Sequence, residues 1–291
     1  MSDTTIQWFP GHMAKTRRLI KESMPLVDAV VEIIDARIPR SSRNPEIDKL
    51  IVEKPRIVIL NKADTADKAK TKIWLEFFEN QGVFAMAADL KSGRGLNDFL
   101  PLLKKTLQPL IERRTQRGIQ GKPLRIMVVG IPNVGKSSFI NKMAKSKRTK
   151  VEDRPGVTRG RQWVTLADGT ELLDMAGVLW PKFEDKDAGL KLAYTGAIKD
   201  NVLDTEDLAA RLLDFLYKFY PEVLEERFKI EKNQELQPYE LLNLVATNRG
   251  MLISKGEPDT LRAAAKVLDE FRSGALGKIT LELPPKSRGS V

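Results

Sequence analysis

At 291 residues, 42% of them hydrophobic and 30% charged, the chain has the length and composition of one large or two ordinary domains with buried cores. It has no cysteine, which excludes disulfides, thiolate metal sites and a cysteine nucleophile, and only one histidine, His12, which excludes His-rich metal sites and any His-based triad that does not use it. The net charge of +10 is uneven: residues 1–187 hold 34 Lys and Arg against 23 Asp and Glu, whereas residues 188–291 hold 15 against 16, so the basic part suits either a polyanionic partner, nucleic acid first among them, or a well-solvated surface.

The N-terminal stretch MSDTTIQWFPGHMAKTRR has no signal-peptide apolar core, and no apolar run approaches the ~18 residues of a spanning helix. A cytoplasmic location without a membrane is therefore expected, and nothing in the sequence argues for more than a monomer. Short Val- and Ile-rich runs at 29–36, 56–64, 82–89, 124–130, 161–166 and 171–177 end in polar or glycine turns and read as strands. Helical patterns lie between them at 67–80, 97–114 and 136–145. Strands alternating with helices predict an α/β domain over 1–187, a mostly parallel sheet with helices on both faces. From residue 188 the period changes to 3.6. Leu208, Leu212, Phe215 and Phe219 share a helical face, as do Leu261, Ala265, Leu268 and Phe271, with Asp259 as a cap and Gly274 as a stop. Residues 188–291 thus read as a small all-α domain ending in a short extended segment. Two basic stretches, 112–122 and 142–161, read as a linker and a loop.

GIPNVGKSS carries the strongest signal. Gly130, Gly135, Lys136 and Ser137 fit G-x-x-x-x-G-K-[ST], between a strand (LRIMVV) and a helix (SSFINKMA). Glycines let the backbone wrap phosphates, and N–H groups of the loop and helix start, with Asn133, Val134 and Ser138 in the set, face the anion. Lys136 adds charge at the β- and γ-phosphates, and Ser137 offers a hydroxyl to Mg²⁺. Downstream, Asp174 reaches the Mg²⁺ through water, and the Gly177 N–H faces the γ-phosphate. Thr158, in PGVTR between them, is a further candidate Mg²⁺ ligand.

LNKAD places Asn61, Lys62 and Asp64 at a strand end. The Asp64 carboxylate can accept the N1–H and N2–H₂ donors of guanine, a donor pair that adenine lacks, so GTP is favoured over ATP. Ala87 and Ala88 close the base pocket through their backbone. The order is unusual, because the guanine motif precedes the phosphate loop by about seventy residues. The same sheet results if the ends of an ordinary nucleotidase are joined and the chain is cut elsewhere.

The order N-K-x-D, G-x-P-N-x-G-K-S, P-G-V-T, D-x-x-G resembles that of circularly permuted P-loop GTPases. IQWFPGHMAKTRR, DARIPRSSRNP, GVLWPKF and SGALGKITLE resemble the ribosome biogenesis GTPase A (YlqF) family over nearly the whole chain. That resemblance implies GTP and Mg²⁺ binding, a role in late assembly of the large ribosomal subunit, hydrolysis stimulated by ribosomal particles, and rRNA contact by the C-terminal domain. It implies that Asn133 helps hold a potassium ion beside the phosphates. It also implies a hydrophobic residue, here Val178, where many GTPases carry a water-orienting glutamine, and a catalytic histidine in P-G-H-M, here His12. The chain departs from the family in reading Asp174-Met175-Ala176-Gly177 where D-T-P-G is usual, and in carrying Ala87 where serine is common. The competing reading is a GTP-gated rRNA-binding assembly factor with little or no hydrolysis. On either reading Lys15, Arg17, Arg18, Lys145, Lys147, Arg148 and Lys150 are candidate phosphate-backbone contacts.

Overall fold

The computed structural model describes residues 10–51, 54–119, 121–145, 150–151, 162–177, 179, 186–198, 204–233 and 235–285. The chain forms two compact units, Met1–Phe183 with Thr280–Val291, and Glu184–Ile279.

The first unit opens with helix α1 (Pro10–Ser23), followed by strand β1 (Ala29–Asp35), α2 (Pro45–Leu50), β2 (Arg56–Asn61), α3 (Lys68–Asn80) and β3 (Phe84–Ala88). Helices α4 (Phe99–Thr106) and α5 (Gln108–Gln116), strand β4 (Arg125–Val129) and helix α6 (Lys136–Lys145) come next. Strands β5 (Lys150–Val151), β6 (Gln162–Thr165) and β7 (Glu171–Asp174) complete one sheet of order β3-β2-β1-β4-β7-β6-β5. The first five of these are mutually parallel, and at one edge β6 runs antiparallel to both β7 and β5. Every residue of β1 is buried, as a strand covered on both faces must be. The six strands read from the sequence are all present. The helical pattern at 97–114 is two helices, because Pro109 lacks the N–H and has the ring that would clash in a continuous helix. β5 falls in the basic stretch that reads as loop, since two residues are too few to show alternation.

From β1 the chain builds outward through β2 to β3, then crosses back to lay β4 on the other side of β1. Such a reversal opens a crevice at the carboxyl ends of the strands. The register aligns what reaches it. Asp35 lies opposite Asn61, Asn61 opposite Ala88, and Val128 opposite Asp174. Beneath this edge, Ile20 of α1 and Met175 share one apolar cluster with Val27, Val30, Ile47, Met127, Val129 and Leu173.

The second unit contains α7 (Lys186–Tyr194), α8 (Thr205–Phe219), α9 (Pro221–Phe228), α10 (Pro238–Asn248) and α11 (Thr260–Ser273). α8 packs against the other four through a buried stripe that includes Leu208, Leu212, Leu213 and Leu216. Phe219 is 63% exposed, so the face read from the sequence is rotated toward Leu213 and Leu216. In α11 the buried stripe is Ala264, Val267, Leu268 and Phe271, which leaves Leu261 in the first turn 61% exposed. The helix is capped by Asp259, whose side chain accepts from the Arg262 N–H, and is ended by Gly274 at φ 81°.

The sequence division at 187/188 assigns everything beyond it to the helical part, but residues 280–282 bond within the first unit, where the Leu281 N–H donates to the Arg37 carbonyl at 2.8 Å. An extended segment this short carries no pattern that shows where it docks. None of the described helices is long and apolar enough to cross a membrane.

Candidate functional site

The loop between β4 and α6 is shaped by its glycines. Gly130 has φ 152°, and a Cβ there would lie 2.5 Å from the Ile33 carbonyl oxygen. Gly135 has φ 104°, and a Cβ there would collide with the Asn61 side chain. Asn133 is left-handed at φ 60°, a conformation asparagine tolerates better than most side chains. Val134 is buried, whereas Asn133, Ser137 and Ser138 are exposed around the start of α6.

Lys136 is only 9% exposed, and its ammonium donates to the carbonyls of Gly130 (3.1 Å) and Ile131 (2.8 Å). Two donors thus aim the group over the loop, which leaves a third donor and the charge for an anion. Burial lowers the Lys136 pKa to about 8, against the opposing pull of Asp174. Asp174, half-buried at the end of β7, is shifted the other way: burial raises its pKa and Lys136 opposes the rise. Gly177 lies against the same loop. A Cβ there would fall 2.8 Å from Lys136 Nζ and 2.9 Å from the Pro132 nitrogen. Met175 is buried in the cluster that also holds Ile20.

The guanine motif sits at the ends of β2 and β3. Asn61 bonds the protein: its amide donates to the Val134 carbonyl at 2.5 Å and accepts from the Leu90 N–H at 3.0 Å, tying β2 to the phosphate loop and to the loop after β3, while an amide has a second N–H to offer. Lys62, left-handed at φ 61°, places its ammonium 2.9 Å from Asp35 Oδ2. The Ala63 N–H donates to the Ala88 carbonyl at 3.1 Å. Gly95 closes over β3, where a Cβ would lie 2.7 Å from the Ala87 carbonyl. Asp64 is exposed, and no described residue bonds its carboxylate.

Asp35 and Arg37 belong to this site, although the sequence does not mark them as functional. They fall in DARIPRSSRNP, one of the stretches that carry the family resemblance, but that resemblance gives the pair no role, and no spacing rule assigns it a partner. In the structure Asp35 accepts from the Arg37 N–H (3.0 Å), Nε (2.9 Å) and Nη2 (2.8 Å), as well as from Lys62. Burial alone would raise the Asp35 pKa, but Arg37 and Lys62 hold it well below the usual carboxylate range.

His12 lies in the first turn of α1, and its side chain is outside the described residues, as are Thr158 and Val178. Lys147 and Arg148 and the side chains of Lys145 and Lys150 are also outside them. Lys15 is exposed, Arg17 pairs with Glu46 at 3.1 Å, and Arg18 pairs with Glu22 at 2.7 Å. Such surface pairs contribute little and exchange readily for a phosphate. Among the described residues no three His, Cys, Asp or Glu side chains gather as a metal cage. Mg²⁺ needs no cage, because it keeps several waters and takes most other ligands from phosphates. The Ser137 hydroxyl and the Asp174 carboxylate fit that role.

The family described as 50S ribosome-binding GTPase matches residues 125–245. Ribosome biogenesis GTPase A of Priestia megaterium is 47% identical over 285 residues, covering 97% of this chain and 98% of that one. A GDP-bound YlqF structure superposes with a TM-score of 0.66 at 29% identity, covering 92% of this chain and 99% of that one. GNP-bound YlqF from Thermotoga maritima gives 0.65 at 28% identity, covering 93% and 98%. A P-loop and a guanine motif at one sheet edge in permuted order, with relatives this similar over nearly their full length, identify the chain as a member of the ribosome biogenesis GTPase A (YlqF) family.

Proposed function

We propose that this GTPase acts in the cytoplasm, as a monomer, on the maturing large ribosomal subunit, and that docking on rRNA or a pre-ribosomal particle stimulates its hydrolysis of GTP. Lys136 and the loop N–H groups hold the β- and γ-phosphates. Ser137, Thr158 and Asp174 hold Mg²⁺, which supplies charge at the phosphates. Asp64 reads guanine, and Gly177 reports the γ-phosphate. Water attacks the γ-phosphorus, the bond to the GDP oxygen breaks with its electron pair leaving on GDP, and the attacking water's proton passes to the released phosphate or to solvent. The basic residues of α1 and of the stretch after α6 meet RNA phosphates, together with a local face of the helical unit.

The water is oriented by His12. The observation that carries this is the company α1 keeps: the helix that bears His12 packs through Ile20 into the cluster containing Met175, the residue after Asp174. The residue after Gly177 is valine, which has neither donor nor acceptor. At 1.5 Å per residue, His12 is about 12 Å along the helix from Ile20. Docking of the particle brings it to the γ-phosphate. A potassium ion beside Asn133 adds charge at the phosphates, and turnover in potassium compared with sodium tests it.

The second reading, a GTP-gated binding factor that barely turns over, is favoured by Met175, whose burial commits the switch loop to the core. GTP turnover with and without large ribosomal subunits, for wild type and His12→Ala, separates the two. Stimulation lost in His12→Ala with GTP affinity unchanged supports the first reading. Stimulation that survives removes His12 from the mechanism, and no stimulation of the wild type favours the second reading.

A further inference from the structure

We infer that residues 280–282 are a working part of the guanine site: a strap that positions the loop carrying Asp64 and so sets guanine discrimination and the rate of nucleotide release. The inference rests on the reading of Asp64 as the guanine acceptor.

Residues 62–67 form a loop between β2 and α3 with Asp64 exposed within it. Its first residue, Lys62, is in the left-handed region, which for a lysine persists only where surroundings hold it. Asp35 holds it, and Asp35 is itself held by the buried guanidinium of Arg37. The strap secures this arrangement from outside, because the Leu281 N–H donates to the Arg37 carbonyl at 2.8 Å. The other end of the loop is Asp67, the N-cap of α3, whose side chain accepts from the Ala69 and Lys70 N–H groups. The Asp67 N–H donates to the Thr280 hydroxyl at 3.1 Å, and that hydroxyl donates to the Ala36 carbonyl at 3.4 Å.

Thr280 is fully buried, and its hydroxyl therefore bridges the end of β1 and the start of α3. Three further contacts fix the strap in register. Lys70 Nζ donates to the Thr280 carbonyl at 3.1 Å, Trp74 Nε1 donates to the Glu282 carbonyl at 3.1 Å, and the Glu282 carboxylate accepts from the Ser41 N–H at 2.8 Å and its hydroxyl at 2.7 Å. One flank of the loop, Asp67, is thus bonded directly to a three-residue segment that arrives from the far end of the sequence, and the other flank, Lys62, is reached from that segment through Arg37 and Asp35. A carboxylate that must meet two donors of a base gains selectivity from being held in place before the base arrives. Thr280 and Glu282 are positioning residues, since they act on the base through the loop.

The test compares Thr280→Val, Glu282→Gln and the chain ending at residue 279, with Asp64→Asn as control. The readouts are the release rate of fluorescent GDP and the ratio of GDP to IDP affinity, because hypoxanthine lacks the exocyclic amine of guanine. Thermal melts show which variants fold. The inference predicts release about tenfold faster in the folded strap variants, about 1.4 kcal/mol, together with a lower GDP-to-IDP ratio. A strap that serves stability alone lowers the melting temperature and leaves the ratio at the wild-type value, which overturns the inference. Asp64→Asn is expected to move preference from GDP to XDP. If it keeps the wild-type preference, the reading of Asp64 fails and the strap inference falls with it.

Discussion

Two amine–carboxylate pairs, each with one buried member, Asp35 and Lys136, stand near the ends of parallel strands, and they are built differently. At the guanine end, Asp35 meets Lys62 and also takes three donors from Arg37, so its charge is fully satisfied by the protein. At the phosphate end, Lys136 and Asp174 feel each other, but burial dominates both, and each is pushed toward its neutral form. The first pair is finished by the fold. On the proposed reading the second is finished by what binds, with phosphates as the anion for Lys136 and Mg²⁺ as the cation for Asp174. One end of the sheet is therefore braced by the protein itself, and the other holds two groups that burial pushes toward neutrality, left for the proposed substrate to charge.

The comparison can be broken at its guanine end. Asp35→Ala leaves a buried Arg37 without its carboxylate, and the expected loss is about 3–5 kcal/mol of folding stability, measured by urea unfolding. Lys136→Ala breaks the other end and removes a buried ammonium from the phosphates. GTP affinity is expected to fall on the order of a hundredfold, measured by calorimetry, with folding retained. Asn61→Ala cuts the tie between the guanine motif and the phosphate loop and leaves the Val134 carbonyl and Leu90 N–H without it. The expected loss is about 1–3 kcal/mol of stability by urea unfolding. Asp174→Asn sharpens the contrast, because removing a charge that burial disfavours should change stability by less than about 1 kcal/mol while Mg²⁺-dependent turnover falls. Equal destabilisation by Asp35→Ala and Asp174→Asn would erase the distinction between the ends.

Much of this is legible in the sequence, and the reasons are specific. The phosphate loop announces itself because glycine is required where Gly130 and Gly135 approach Ile33 and Asn61, and because the flanking strand and helix are strongly patterned. The six strands are legible because buried parallel strands are near-continuous apolar runs. The roles within the guanine motif are less so. Asn61 reads as a nucleotide ligand, and its further part in tying β2 to Val134 and Leu90, which are distant in sequence, is not readable from the motif. Arg37 carries no readable role, since it is buried and its carbonyl accepts from Leu281, more than two hundred positions away. Phe219 and Leu261 fall on the expected apolar faces yet are exposed, because period fixes a helical stripe only to within a residue or so, and packing against neighbours selects the final face.

The most direct test of the unfinished pair is proton uptake on GTP binding, measured by calorimetry with Mg²⁺ present at pH 8 in two buffers of different ionisation enthalpy. In the free protein Lys136 is about half protonated there, because its pKa is about 8. Bound phosphates favour the charged form and raise that pKa, so binding takes up close to half a proton and affinity weakens as pH rises above 8. Uptake near half a proton at pH 8, declining toward zero at pH 7, is the predicted result. Binding enthalpies identical in the two buffers at pH 8, with affinity flat from pH 7 to 9, would contradict it.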